Sequence, residues 1–116
     1  MEKIFQKALA AHTAMLLLHI DSKTLDHDFH HATEEFYEGL FDTAHEIGEK
    51  YVDLGSHHES SDIIVKKQQA FDIIKNLREE IETYARNNTI SLGTEDLLGS
   101  LVNKLEDMEG TAKSFI

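Results

Sequence analysis

No cysteine, proline or tryptophan occurs anywhere in this chain, and glycine occurs only six times. Without cysteine there is neither a disulfide framework nor a thiolate site, so any bound metal must use histidine, carboxylate or water. Without proline the usual turn punctuation is sparse, and the abundant Leu, Ala, Glu and Lys favour helix. Basic residues are also scarce: 11 Lys and Arg stand against 22 Asp and Glu, a net charge of −11 with His neutral. Nucleic acid and anionic membranes are polyanions, so the charge argues against both as partners and in favour of cations. The longest apolar run, 14–18, is far shorter than the ~20 residues a membrane span needs. The start of the chain shows no signal-peptide pattern, and a cytoplasmic location is expected. No Ser or Cys nucleophile with a base and an orienting acid can be picked out, and no glycine-rich phosphate loop is present, which argues against a conventional hydrolase.

What is there reads as a single all-α domain spanning 1–116, a four-helix bundle. The first helix covers 2–20, with Ile4, Ala8, Ala11, Met15 and Leu18 on one side and His12 and His19 in the middle of the apolar arc. Ser22, Thr24 and Asp26 are candidate N-caps for a second helix that runs to about 54 and ends at Gly55. Ser60 or Ser61 with Asp62 starts a third helix over 61–87, striped by Ile63, Ala70, Ile74, Leu77, Ile81 and Tyr84. Thr94 is the expected N-cap of a fourth, with Glu95 and Asp96 in its first turn, where negative charge suits the helix dipole. Leu98, Leu101, Leu105, Met108 and Ala112 line one face of it.

The second helix has two faces. Phe29, Ala32, Phe36, Leu40, Thr43, Ile47 and Leu54 make an ordinary core face. His30, Glu34, Tyr37, Phe41, His45, Gly48 and Val52 lie about 140° around by helical geometry. Such a helix is expected to be buried on both sides, by its own bundle and by a second copy in at least a dimer. His30 and His45 each have a glutamate four residues on, Glu34 and Glu49, and residues at that spacing are neighbours able to offer one ion a nitrogen and a carboxylate. The two pairs are about 22 Å apart along the helix. They can share an ion only across an interface, as an isologous two-fold contact allows.

The stretch from "LLLHIDSK" to "EKYVDLG" resembles the first half of the starvation-induced ferritin-like proteins called Dps. "DIIKNLREEIE" and "TEDLLGSLVNKLEDME" are similar to that family's third and fourth helices. Small ferritin-like proteins of bacteriophages show a similar histidine and tyrosine pattern. In the Dps family a His ending the first helix, a His early in the second, an acidic residue four positions on, and a later Asp-x-x-x-Glu form an inter-subunit ferroxidase site. The resemblance therefore implies iron at His19, His30, Glu34 and Glu49, with oxidation of Fe(II) by oxygen or peroxide. His45 stands where the family has aspartate, and a third nitrogen donor makes zinc or another divalent metal an alternative to iron. The spacing from His19 to His30 is one residue shorter than in the family, which leaves His31 as a competitor for His30.

Ferritin-like bundles place the second and third helices parallel, joined by a crossover along the whole bundle. Helices of 26 or 27 residues are ~40 Å long, whereas a link of six residues reaches only ~20 Å. The expected arrangement is therefore up-down-up-down, without the connection that a closed cage uses. Each signal also has a plain structural reading. His12 and His19 can be core histidines bonded to a carbonyl or hydroxyl, the helix pairs can be salt bridges, and His27, His31, His57 and His58 can be solvated. The alternative function is that of a catalytically silent helical bundle, of the kind viruses also encode, that binds a protein partner.

Overall fold

The computed structural model describes residues 1–55 and 62–116. They form four helices and no strand: α1 (Glu2–Asp21), α2 (His27–Asp53), α3 (Ile63–Asn87) and α4 (Leu92–Lys113). The chain is all-α, and the helices pack in pairs, α1 with α2 and α3 with α4, consistent with a four-helix bundle. Contacts divide it into two units, Met1–Glu59 and Ser60–Ile116, each built on one helical hairpin. His57 and His58, the Ser60 and Ser61 start signals, and the link on which the up-down-up-down expectation turns lie outside the described residues. Among the described residues no helix is long and apolar enough to cross a membrane.

In the first unit α1 and α2 run antiparallel. Phe5 lies against Gly48 and stacks on Tyr51, His12 meets Tyr37, and His19 meets His30. Phe5, His12 and His19 on α1 and His30, Tyr37, Ala44 and Tyr51 on α2 recur every seven residues, the period that keeps one seam facing a partner helix. Ala44, Tyr51 and Thr33 are buried along that seam. The covered face of α2 is therefore neither of the two drawn from periodicity but a strip between them. It takes Leu40 and Ile47 from one and His30, Tyr37 and Gly48 from the other, all half-buried. One packed helix covers only a stripe of its neighbour, and Phe29, Phe36, Phe41 and Val52 stay exposed outside it.

Local chemistry sets the ends. Of the three candidate caps, Asp26 starts α2, its carboxylate accepting from the Phe29 N–H at 3.0 Å. Ser22 instead closes α1. The α2 terminus is followed by Gly55 at φ 80°, the left-handed conformation that suits glycine just past a helix.

In the second unit the Asp62 carboxylate accepts from the N–H groups of Ile64 and Val65 and begins α3. Ser91, rather than Thr94, caps α4. Its hydroxyl accepts from the Thr94 N–H at 3.2 Å, so the helix begins at Leu92. A serine three residues ahead of Thr94 puts its oxygen within reach of the third helical N–H, which makes Thr94 part of the first turn. Across α3 and α4 the Arg78 guanidinium grips the Glu109 carboxylate with two N–H groups and gives a third hydrogen bond to Glu82 at 3.1 Å.

Candidate functional site

His19 sits in the last turn of α1 and His30 near the start of α2, on either side of the connecting turn. Their rings stack with centroids 3.9 Å apart and planes 15° from parallel. Each ring bonds the backbone of the other residue: His19 Nδ1 lies 2.7 Å from the His30 carbonyl, and His30 Nδ1 lies 2.6 Å from the His19 carbonyl. A carbonyl oxygen only accepts, so both nitrogens carry hydrogen, and in the neutral rings the lone pair is on Nε2. Helix geometry explains the His19 carbonyl. It belongs to the last turn of α1, where carbonyls lack an intrahelical donor, and the His30 ring and the Ser22 hydroxyl supply the missing donors.

The pattern repeats one heptad away. His12 Nδ1 donates to the Tyr37 carbonyl at 2.9 Å, while its ring meets Phe41 edge-on at 5.4 Å. His12 thus bonds a carbonyl, as its structural reading expects, from a half-buried rather than a core position. Tyr37 also packs on His19, with ring centroids 5.1 Å apart.

The other expected ligands are elsewhere. Glu34 is half-buried one turn beyond His30 and makes no hydrogen bond or ion pair among the described residues. His45 and Glu49 do pair, Nε2 to Oε1 at 3.0 Å, with side chains 63% and 69% exposed. They lie about four turns further along α2, so one chain brings together His19 with His30 and His45 with Glu49, but not all five residues. Among the described residues no group of three or more His, Asp or Glu is arranged to hold a metal ion.

Sequence reasoning missed Thr33, which is fully buried, and read Ser22, 5% exposed, as a cap of the wrong helix. Thr33 Oγ1 donates to the His30 carbonyl at 2.8 Å and lies 3.1 Å from His19 Nδ1. The available signal was a hydroxyl residue three positions after each histidine, 19 and 22, 30 and 33, the spacing at which a side chain returns to a helical carbonyl. The chain matches no protein-family model, no curated protein and no solved structure.

Proposed function

We propose that this protein binds a divalent metal ion through Nε2 of His19 and Nε2 of His30. The observation that carries this reading is the exchanged pair of Nδ1–H to carbonyl bonds. Metal-ligating histidines almost always give their other ring N–H to a carbonyl or carboxylate, which sets the tautomer and aims the free nitrogen. The donor set fits in part: protein sites for such ions usually supply three or four ligands, two imidazoles fall short of that, and rings stacked 3.9 Å apart and 15° from parallel would have to splay before both in-plane lone pairs met at one ion. Glu34 is one turn from His30 and would be the nearest carboxylate on α2. His45 and Glu49 of a second copy would complete the set across a two-fold contact through α2, which makes the protein at least a dimer. The resemblance to Dps favours iron, and bound iron would supply Fe(II) oxidation by oxygen or peroxide. Zinc suits the nitrogen-rich set equally well. A cytoplasmic setting belongs to this reading.

A second reading, a silent bundle that binds a protein partner, is favoured by one observation: Phe29, Phe36 and Phe41 are 46%, 49% and 56% exposed on α2. Anaerobic Fe(II) titration of metal-free protein, then oxygen addition with ferric absorbance followed, separates the two. Saturable binding and oxidation above the buffer rate, lost in His45→Ala and Glu49→Ala, is the expected result. Absence of binding by both Fe(II) and zinc would overturn the metal reading and leave the partner-binding one.

A further inference from the structure

Two buried polar side chains, Ser22 at 5% and Thr33 at 0% exposure, flank the stacked histidines. A buried hydroxyl needs hydrogen-bond partners, and here both find them in the same way. Ser22 Oγ donates to the His19 carbonyl at 2.9 Å, and Thr33 Oγ1 donates to the His30 carbonyl at 2.8 Å. These are the carbonyls that accept the imidazole N–H groups of His30 and His19. Two carbonyls, two rings and two hydroxyls therefore form one closed arrangement with an approximate two-fold relation between its halves.

Each hydroxyl spends its proton on a carbonyl and so presents a lone pair to the neighbouring ring. Thr33 Oγ1 lies 3.1 Å from His19 Nδ1, and Ser22 Oγ lies 3.4 Å from His30 Nδ1. The Thr33 contact is a hydrogen bond of ordinary length, whereas the Ser22 contact is long and weaker. Each Nδ1 thus faces two acceptors and no donor. Free neutral imidazole side chains in water prefer the opposite form, with hydrogen on Nε2, so this pocket reverses an intrinsic preference.

We propose that Ser22 and Thr33 are positioning residues that hold His19 and His30 in the Nδ1–H tautomer and keep both Nε2 lone pairs open to a ligand. The use of those lone pairs for metal rests on the function proposed above, whereas the tautomer does not. Thr33→Val keeps the volume and removes the hydroxyl. His19 Nδ1 then loses its second acceptor and the His30 carbonyl its second side-chain donor, so the balance at His19 moves toward the Nε2–H form. Ser22→Ala does the same at His30, by a smaller amount because that contact is longer. Thr33→Ser restores the hydroxyl.

Long-range proton–nitrogen correlation spectra of the full-length, metal-free protein, at a pH where the rings are neutral, report the tautomer of each histidine. The expected result is Nδ1–H at both His19 and His30, an Nε2–H population appearing at His19 in Thr33→Val and at His30 in Ser22→Ala, and the parent pattern in Thr33→Ser. Nε2–H rings in the parent protein would overturn the proposal, and so would a full Nδ1–H signature in both Thr33→Val and Ser22→Ala. The parent spectrum tests it even where a variant fails to fold. Zinc titration of the same samples separates the two ideas. Nδ1–H rings that ignore zinc, and also Fe(II) under anaerobic conditions, support the positioning role and sink the metal function, whereas metal binding by a protein whose rings are Nε2–H does the reverse.

Discussion

The ring of Phe5 fills the space that a side chain on Gly48 would need: a β-carbon there would stand 2.7 Å from Cε1 and 3.1 Å from Cζ. Glycine inside a helix costs ~1 kcal/mol relative to alanine, so the close approach of α1 to α2 offsets a local penalty. Gly39, on the same helix, has nothing within 4 Å of its β-carbon position. Gly39→Ala is therefore expected to stabilise the protein by ~0.5–1 kcal/mol, and Gly48→Ala to destabilise it despite the same gain in helix propensity. Urea unfolding of both variants checks the signs. In a double-mutant cycle Phe5→Ala should be less damaging in the Gly48→Ala background than alone, because the two residues are in contact.

Arg78 and Glu109 couple α3 to α4 with a two-pronged hydrogen-bonded ion pair. The guanidinium's hydrogen bond holds the Glu109 carboxyl below its ordinary value of 4.5, against an opposing push from burial. A carboxyl with a lower pKa in the folded chain than in the unfolded one stabilises fully above the unfolded value, and that contribution is lost as pH falls through the folded value. Glu109→Gln should lower stability at neutral pH and flatten the decline in stability below about pH 4.5. Melting temperature against pH for parent and variant measures both effects. Arg78→Lys should also destabilise, since an ammonium cannot reproduce the planar fork.

Asp26 caps α2 at the end of the turn that separates His19 from His30. Asp26→Ala should cost ~1 kcal/mol, while Asp26→Ser, which keeps an acceptor oxygen, should cost much less. Chemical denaturation is the check. If the capped end holds the pair in register, Asp26→Ala also weakens any metal binding at His19 and His30.

His30→Asn tests the division of labour within one ring. The asparagine amide can still donate near the position of Nδ1, so the His19 carbonyl keeps a donor, but Nε2 is gone. The variant should stay helical by circular dichroism and lose metal binding by calorimetry. A variant that binds the ion as the parent does would show that His30 is not a ligand.

Phe41, 56% exposed, packs on the His12 ring and presents the rest of its open surface to solvent. Phe41→Glu would place a charge in any apolar contact made there, and light scattering should show a smaller particle than the parent forms. An unchanged mass would remove Phe41 from the assembly surface.

The helices themselves were legible in the chain. Three of the four expected spans match within a few residues, because apolar periodicity and the scarcity of turn-formers act locally. The fourth start was displaced to Ser91 since two hydroxyl residues lay within one turn and only backbone geometry chooses between them. The face of α2 that is covered could not be read from periodicity. A helix with apolar side chains on two sides offers several stripes, and the choice depended on which one α1 could approach closely, which Gly48 and Ala44 allow.

The same division holds at the histidines. Residue type and spacing alone determined that this acidic, cysteine-free chain is helical and that its nitrogen donors are concentrated on the first two helices. Spacing along one helix places residues relative to each other through the regular backbone, so the His45–Glu49 pair was foreseeable. Tertiary structure decided that His19 and His30 stack, that each ring bonds the other's carbonyl, and that Ser22 and Thr33 are buried beside them. Those contacts join residues on different helices, and their register depends on how the α1–α2 turn closes and which side chains interlock across the seam.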